Sequence, residues 1–477
     1  MPLSENPELS VLNAKHLWLM LLMGLLSALG FFDFLIFMYL FGELGKLFFL
    51  DNTASWVLSM QLAGLFAAGY LARVFGGIWV GRLAQKQGRK QALMVSATLM
   101  AGFTFTIGLL PTSAMVGVFA SILFLLLRIG QGVALGGLVP VIWVYLAESL
   151  PKRYLSMSSG VIVASYAFGL MVANIIFAII LDGMGVNAML SIGWRWMFII
   201  SGTLTMILLY YLRQIPMTQI FMNYQKNCLK TEPAHIEPAH IKQAQSGQSV
   251  SHTANRFIKA KKSLKHTKDT LKNSIKKNGI KDHINAIFIG GLLSLYISSI
   301  FMIVAILLPD LVMAVYPIDA DMVGIANGLG LWFLMLGCVF YGFLADRMNP
   351  GLVLMGGSVI LMAQIFGFYL HLQAGGELLL ILYAILGFSA GVIGMIPAQI
   401  LRMLPTGIRA LYFSVIYNVV YAIVGGVLPF VLAYMSATIG MVTALYVAFL
   451  AIIGLMLGFI LYRLPNHGLD YLDKKSC

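Results

Sequence analysis

Three ionisable residues lie inside long apolar segments, where charges are costly and usually functional. Asp33 lies in GFFDFLIF, Arg73 in YLARVFGG and Arg128 in LLLRIGQGVALGG. A carboxylate in a low-dielectric cavity resists ionisation, so Asp33 is a candidate proton site. A guanidinium can compete with a proton for such a carboxylate, which makes Arg128 a candidate counter-ion or anion binder. All three residues precede residue 130, so we expect the chemistry that couples proton binding at Asp33 to other events in the first half of the chain.

Each of these residues also has a structural explanation. Asp33 could form a permanent ion pair with an arginine, and Arg128 could pin two helices by donating to backbone carbonyls. The long side chain of Arg73 could extend toward the membrane surface. Tyr417 and Asn418, far along the chain, could face a cavity or hydrogen-bond between helices. The sequence leaves these alternatives open.

The segments that must position these residues are long and apolar. Of the 477 residues, 60% are hydrophobic and 10% are charged, whereas soluble chains have about 25% charged residues. A spanning helix needs roughly 20 apolar residues, and the sequence contains twelve such runs, which are continuous rather than alternating and therefore helical. They cover about 17–40, 57–80, 92–110, 115–147, 157–181, 195–213, 285–308, 323–345, 352–371, 378–401, 410–435 and 440–462.

Charges in the short loops predict the orientation, because cytoplasmic loops are enriched in Lys and Arg. Numbered with the N-terminus inside, the cytoplasmic loops hold Arg82, Lys86, Arg89, Lys90, Lys152, Arg153, Arg347, Arg402 and Arg409. The outer loops hold Lys46, Arg195 and three aspartates near residue 315. The pattern predicts a multi-pass protein of the plasma (bacterial inner) membrane with both termini in the cytoplasm.

A polar stretch divides the spans into six and six. We expect an N-terminal bundle over 1–213, a basic cytoplasmic linker over 214–284, and a C-terminal bundle with a short tail over 285–477. The linker repeats EPAHI at 232–241, which we interpret as a slipped duplication rather than a metal tract. Between Arg256 and Lys281 it holds ten Lys or Arg residues and one acid. This basic part could be a helix on an anionic leaflet or a solvated linker. Because most of the net positive charge is concentrated in this one segment, the charge of the chain is a poor argument for a nucleic-acid partner.

No catalytic constellation stands out in the sequence. Walker A, HExxH and CxxC patterns are all absent, so we expect no enzyme activity, no cofactor and no metal site. The three cysteines are scattered, and we expect them to be reduced. The chain is expected to act as a monomer.

The two halves share a weak internal symmetry. GRLAQKQGRK at 81–90 follows the second span, and GFLADRMNP at 342–350 follows the eighth. Six-helix halves related by an axis along the membrane normal form a transporter architecture with a midplane substrate site. The fold class is therefore expected to be all-α, with twelve transmembrane helices in two six-helix bundles.

Several motifs resemble the major facilitator superfamily, and within it the metabolite:proton symporters for proline/betaine, α-ketoglutarate, citrate or shikimate. GRLAQKQGRK resembles the signature of the loop between spans 2 and 3, and LLLRIGQG, with Arg128 and Gln131, resembles the R-x-x-Q-G signature of span 4. FFDF, LARVFGG, YLAESLPKR, IGWRWMFII and LPTGIRALYFSVIYNVVYAIVGGVLP resemble further family patterns. The matches extend from about residue 30 to about residue 430.

The resemblance implies two groups of functional residues. Proton coupling and substrate contact are implied for Asp33, Arg73, Arg128, Gln131, Tyr417 and Asn418. A cytoplasmic gate is implied for Gly81, Arg82, Gln85, Gly88, Arg89, Glu148, Arg153, Asp346, Arg347 and Arg409.

Three positions depart from the family pattern. Gln85 stands where loop 2–3 carries an aspartate, Leu138 replaces a span 4 glutamate, and Arg402 replaces a carboxylate before the P-T motif. In the resemblance, the loop aspartate sits at a helix N-terminus and helps to lock the outward-open state. Gln85 therefore predicts a weaker cytoplasmic gate and a population shifted toward inward-open.

The leading hypothesis is a secondary transporter of a small organic acid, amino acid or zwitterion, coupled to protons, working by rocking of the two bundles. An uncoupled facilitator or an exporter of the same fold is the second, favoured by Leu138. A non-transporting sensor or partner-binding membrane protein that uses the linker is the third.

Overall fold

Twelve apolar helices, each long enough to cross a membrane, dominate the part of the chain that the computed structural model describes, namely residues 11–49, 55–230, 280–375 and 377–464. We call them spans 1 to 12 in chain order. The predicted number of spans and the all-α class are confirmed. The spans are Ala14–Tyr39, Met60–Gln87, Arg89–Gly108, Phe119–Ser149, Lys152–Gly183, Met189–Leu212, His283–Val315, Ala320–Arg347, Pro350–Gln373, Leu379–Arg402, Thr406–Ser436 and Val442–Arg463.

Some spans combine several helical segments. Span 2 belongs to a longer helix, Ser55–Gln87. Span 5 combines the 3₁₀ turn Lys152–Tyr154 with most of the helix Leu155–Ala188. Non-α turns interrupt three further spans: a π-turn opens span 6, another divides span 7, and a 3₁₀ turn divides span 10. These turns are Met189–Gly193, Met302–Leu307 and Gly391–Met395. Short helices outside the spans are Phe41–Phe48, Ser113–Val116 and Gln219–Lys230.

Local sequence accounts for several helix starts. The side chains of Asn13, Asp319 and Asn349 accept hydrogen bonds from backbone N–H groups in the first turns of spans 1, 8 and 9. Such caps satisfy donors that the helix itself leaves unpaired. Gly88 separates spans 2 and 3 with a φ of 98°, a conformation that favours glycine. The GRLAQKQGRK stretch is therefore the end of one helix, a single-residue reversal and the start of the next.

The spans pack as two six-helix bundles. In the first bundle, span 2 packs on span 4, span 1 on span 5, and span 3 on spans 4 and 6. In the second, span 9 packs on span 12, span 8 on span 10, and span 7 on span 11. The bundles meet where span 5 packs on span 8 and span 2 packs on span 11. The two-bundle prediction is confirmed, and the functional residues must lie along these two seams or inside a bundle.

Glycines bring spans 2 and 4 into close backbone contact. A Cβ added to Gly76 would lie 1.9 Å from the carbonyl oxygen of Val133, and one added to Gly136 would lie 2.1 Å from that of Arg73. Neither position has room for a side chain. Small residues at such spacing allow membrane helices to approach closely, as the glycine-rich span 4 sequence suggests.

The linker predictions fall outside the described residues. The EPAHI repeat and most of the basic stretch from Arg256 to Lys281 lie within 231–279. The proposed boundaries at 213 and 284 remain predictions. We use the term basic end for the end of the molecule at which spans 2, 4, 8 and 10 finish.

Candidate functional site

Asp33 is buried inside the first bundle and is held by hydroxyl groups. Thr104 of span 3 donates to its Oδ2 at 3.0 Å, and Ser201 of span 6 donates to its Oδ1. Among the described residues, no ion pair joins Asp33 to an arginine, so the permanent-pair alternative is wrong. Because a hydroxyl both donates and accepts, this environment can serve a carboxylate or a carboxylic acid.

A short polar chain connects Asp33 to Arg128. Gln131 donates from Nε2 to the Thr104 hydroxyl at 2.9 Å, and Arg128 Nη1 donates to Gln131 Oε1 at 3.0 Å. The sequence offered Arg128 as a candidate counter-ion, and in the structure Thr104 and Gln131 lie between its guanidinium and Asp33. These four residues come from spans 1, 3 and 4, so the chain lies within one bundle.

Arg128 is fully buried and only partly hydrogen-bonded. Its Nη1 also donates to the backbone carbonyl of Phe34 at 3.1 Å, as the helix-pinning alternative expects. Its guanidinium lies 4.8 Å and 4.6 Å from the ring centroids of Phe34 and Phe37. Within the described part of the chain, Nε and Nη2 have no hydrogen-bond partner. Arg128 therefore has donors to spare for a further acceptor.

Arg73 lies at the seam between the bundles, surrounded by aromatic rings. It is 1% exposed, so the alternative in which it extends to the membrane surface is wrong. Its guanidinium carbon lies 4.8 to 5.9 Å from four ring centroids, those of Phe34, Tyr70, Tyr417 and Tyr421. We call these four rings the aromatic cage. Spans 1 and 2 supply two of them, and span 11 of the other bundle supplies the other two.

Asn418 ties the two bundles together beside the cage. Its Oδ1 accepts from Arg73 Nε at 3.3 Å, and its Nδ2 donates to the backbone carbonyl of Gly136 in span 4 at 2.7 Å. A Cβ added to Gly77 would lie 2.5 Å from Asn418 Nδ2, so a glycine is needed there. Of the two sequence alternatives for Asn418, the structure supports hydrogen bonding between helices.

At the basic end, Glu148 joins two arginines from different bundles. Arg89 of span 3 donates to Glu148 Oε1 at 2.8 Å, and Arg409 of span 11 donates to the same oxygen at 3.2 Å. Thr218 donates to Oε2 at 2.8 Å. All the ionised groups of this cluster are buried, so each needs the others to offset its desolvation. The cluster therefore couples the end of span 4 to the start of span 11.

Asp346 forms the matching link between spans 8 and 5. Its Oδ1 and Oδ2 accept from the backbone N–H groups of Ser156 and Met157, at 2.9 and 2.8 Å. These donors lie in the first turn of the helix Leu155–Ala188, where a negative charge is favoured. Arg402, one of the three departures from the family pattern, forms an ion pair with Asp346, with 3.6 Å between Arg402 Nη2 and Asp346 Oδ1.

Gln85 occupies the related position in the first half. Its Nε2 donates to the backbone carbonyl of Gly407 in the first turn of span 11 at 2.9 Å. Arg89 adds a bond to the carbonyl of Thr406 at 3.0 Å. A Cβ added to Gly81 would lie 3.0 Å from the Cα of Leu411, so the backbones are close. In this structure the two bundles are joined at the basic end.

Three predicted gate residues lie away from these contacts. Arg82, Arg153 and Arg347 are exposed, and no ion pair joins them to another residue of the described ranges. Arg347 stacks on the ring of Phe343 at 4.1 Å. Exposed positions of this kind suit arginines that set the orientation of the chain in the membrane.

Sequence reasoning missed the neutral partners of the charged residues. Thr104 and Ser201 hold Asp33, Thr218 holds Glu148, and Tyr70 and Tyr421 complete the cage. Each is an ordinary residue type within or next to an apolar helix, so one sequence carries no signal for it. No group of three or more His, Cys, Asp or Glu residues within the described ranges could hold a metal ion.

Two bundles of six helices, joined by polar links and with buried charges at mid-span, define a membrane-transporter fold. The family model for the Major Facilitator Superfamily matches residues 20–429, and the chain belongs to this superfamily. It is therefore a multi-pass membrane protein of a family of transporters, which are not enzymes.

Individual relatives support the same placement. A predicted proline/betaine transporter of Staphylococcus aureus is 34% identical over 201 residues, covering 42% of this chain and 43% of the relative. The ectoine/proline transporter ProP of Corynebacterium glutamicum is 35% identical over 201 residues, covering 41% and 39%. The chain thus spans less than half the length of these relatives. The sugar-bound structure of XylE, a proton:xylose symporter, is 17% identical with a TM-score of 0.69, covering 98% of this chain and all of XylE.

Proposed function

We propose that the chain is a secondary active transporter of a small organic solute, coupled to protons. The solute is an organic acid, an amino acid or a zwitterion. The two bundles rock about their seams and expose a central site to each side of the membrane in turn. Family membership and the named activities of the relatives support solute transport, and the chemistry of the buried residues supports the coupling.

The observation that carries the proton coupling is the environment of Asp33. A buried carboxylate with no cationic partner is expensive to keep ionised in a membrane interior. Its hydroxyl partners on spans 3 and 6 can donate to the carboxylate or accept from the acid. Gln131 and Thr104 connect this group to Arg128, so a proton gained at Asp33 alters the hydrogen bonding of a guanidinium near the cage.

The solute class follows from the donors at the centre. Arg73 and Arg128 are buried cations whose Nη2 atoms lack partners within the described ranges. Donors of this kind suit a carboxylate, which only accepts. A carboxylate-bearing solute is also consistent with the proline, betaine and ectoine named for the relatives.

The basic end is proposed to face the cytoplasm, because Lys and Arg accumulate in cytoplasmic loops. An even number of spans then places both termini on that side. Glu148, Asp346 and Gln85, with their partners across the seams, act as the cytoplasmic gate. Because these links are formed in the structure, we assign it, on this proposal, to a state that is closed to the cytoplasm.

The coupling is tested with purified protein in liposomes under an imposed pH gradient. The Asp33→Asn variant is expected to lose gradient-driven accumulation while retaining counterflow of the solute at equal pH on both sides. Asp33→Glu is the matched control, because it keeps a titratable group, and it should retain partial accumulation. Accumulation that survives Asp33→Asn, or an uncoupler, contradicts the coupling.

The same measurements address the alternatives. An uncoupled facilitator shows counterflow and no response to the gradient in the unmodified chain, an outcome that the loss of the span 4 glutamate at Leu138 would favour. Export is recognised by accumulation of the solute inside inverted vesicles, whose lumen corresponds to the outer side of the membrane. A sensor shows binding without counterflow.

A further inference from the structure

The aromatic cage around Arg73 has the composition of a cation-binding site. Four rings from three spans surround one guanidinium, with the guanidinium carbon within 5.9 Å of every ring centroid. Cations are attracted to aromatic faces within about 6 Å, most strongly when water is excluded. Each of the four rings is at most 4% exposed. The occupant here is part of the protein itself.

Glycines next to the cage leave room for its rings. A Cβ added to Gly425 would lie 2.3 Å from the ring of Tyr70, and one added to Gly69 would lie 3.2 Å from the ring of Phe34. Tyr417 and Tyr421 lie against each other at 4.3 Å between centroids. Rings of both bundles thus converge on one volume at the seam.

Buried donors without partners lie next to the cage. Trp143 Nε1 and the Tyr166 hydroxyl have no hydrogen-bond partner within the described ranges. The rings of Trp143 and Tyr417 are 5.2 Å apart, and those of Trp143 and Tyr166 are 5.6 Å apart. An unpartnered buried donor is costly, and a carboxylate placed beside these donors would satisfy them. Arg73 Nη2 is a third such donor.

We propose, resting on the proposed function, that the aromatic cage is the binding subsite for the alkylated ammonium group of a zwitterionic solute, and that Arg73 fills it as a tethered substitute. On binding, the ammonium group takes the cage. The displaced guanidinium pairs with the solute carboxylate, together with Trp143 Nε1 and the Tyr166 hydroxyl. Since a zwitterion has no net charge, this exchange leaves the net charge at the centre unchanged.

The exchange has a consequence for the seam. Arg73 leaves the cage only by giving up its bond to Asn418, which links span 2 to span 11. Solute binding therefore removes one of the ties between the bundles beside the site. An anionic organic acid without an ammonium group would leave Arg73 in the cage and this tie intact.

Binding to the full-length protein in detergent, measured by isothermal titration, tests the subsite with two isosteric probes. N,N,N-trimethylglycine carries the ammonium group, and 3,3-dimethylbutanoate replaces its nitrogen by carbon. We expect the zwitterion to bind at least about tenfold more tightly, because cation–π attraction is lost in the carbon analogue. Tyr421→Leu should erase this difference, and Tyr421→Phe, which keeps the ring, should retain it.

Displacement of Arg73 is tested with tetramethylammonium, which has no carboxylate. Arg73→Ala empties the cage, so this cation should bind that variant at least about tenfold more tightly than it binds the unmodified chain. Arg73→Lys keeps a tethered cation and should show no such gain. Thermal unfolding and gel filtration establish that each variant is folded.

Equal binding of the two isosteres, or no gain of tetramethylammonium binding in Arg73→Ala, overturns the proposal. The comparison of the two isosteres uses the unmodified chain, so it tests the proposed subsite even if a variant fails to fold. Counterflow of an organic acid without binding of trimethylglycine overturns the subsite and leaves transport standing. Binding of trimethylglycine without counterflow of any solute contradicts transport and leaves the subsite standing.

Discussion

At the residue scale, the basic end shows how one uncharged side chain changes a link between bundles. The carboxylate of Asp346 accepts hydrogen bonds from two backbone N–H groups of the helix that it contacts. The side-chain amide of Gln85 instead donates a hydrogen bond to a backbone carbonyl of its partner helix. A carboxylate at a helix N-terminus benefits from the helix dipole and from charge-assisted bonds. The amide of Gln85 has neither advantage, so the two seams are joined with unequal strength.

Replacing this amide by a carboxylate is expected to strengthen the closed gate. Gln85→Asp should favour the joined state of the basic end by about 0.5 to 1 kcal/mol, the typical gain for a negative charge in the first turn of a helix. Spin labels at Arg82 and Arg347, which are exposed and belong to different bundles, report the separation by electron–electron double resonance. We expect the short-distance population to grow.

Lys86→Gln serves as the control, because it alters a neighbouring exposed charge and should leave the distribution unchanged. An unaltered distribution in Gln85→Asp would mean that this position does not influence the gate. The sequence-based prediction of a weak gate would then also be wrong.

At the element scale, the helices of the first bundle depend on backbone contact at glycines. Spans 2 and 4 touch at Gly76 and Gly136, where an added Cβ would meet a carbonyl oxygen rather than a flexible side chain. The contact bears on the proposed function because both spans carry arginines of the candidate site. A shift of either helix would move Arg73 relative to Arg128.

Gly76→Ala is therefore expected to destabilise the protein strongly, by about 2 kcal/mol or more, as overpacking does in other tightly packed interiors. Gly102→Ala in span 3 is the matched control, since an added Cβ there meets nothing within 4 Å. Thermal unfolding of the two variants in the same detergent measures the difference. Equal melting temperatures would contradict the contact between spans 2 and 4.

At the scale of the whole molecule, closure of the basic end requires two bundles to touch along two seams. Span 5 meets span 8 at Gly160, where an added Cβ would lie 2.2 Å from the carbonyl oxygen of Cys338. The three atoms nearest to this added Cβ all belong to the backbone of span 8. This contact can form only when the bundles are joined, so it depends on the conformational state rather than on the folding of either bundle.

A bulky residue at this seam should hold the basic end apart. Gly160→Leu is expected to shift the spin-label distances between Arg82 and Arg347 to longer values and to abolish counterflow while each bundle stays folded. Gly183→Leu is the control in the same helix, because nothing lies within 4 Å of its added Cβ. Normal counterflow in Gly160→Leu would show that the seam need not close during transport.

The sequence by itself determined the number of spans, their helical nature and the division into two bundles. These properties depend on the hydrophobic length needed to cross a membrane, which is local and additive along the chain. It also identified Asp33, Arg73 and Arg128 as candidates, because ionised groups are rare in such segments, and Glu148 through the resemblance of its motif to a family pattern.

Only the tertiary structure decided which groups those residues contact. Asp33 is held by hydroxyls of spans 3 and 6 rather than by Arg128, and Arg73 lies in a cage built by both bundles. These contacts join residues that are far apart in the chain, such as Arg73 and Asn418, and they depend on the seams at which the helices meet. Neutral threonines, serines and tyrosines gain a role only through that proximity, so their residue types gave no indication of it in advance.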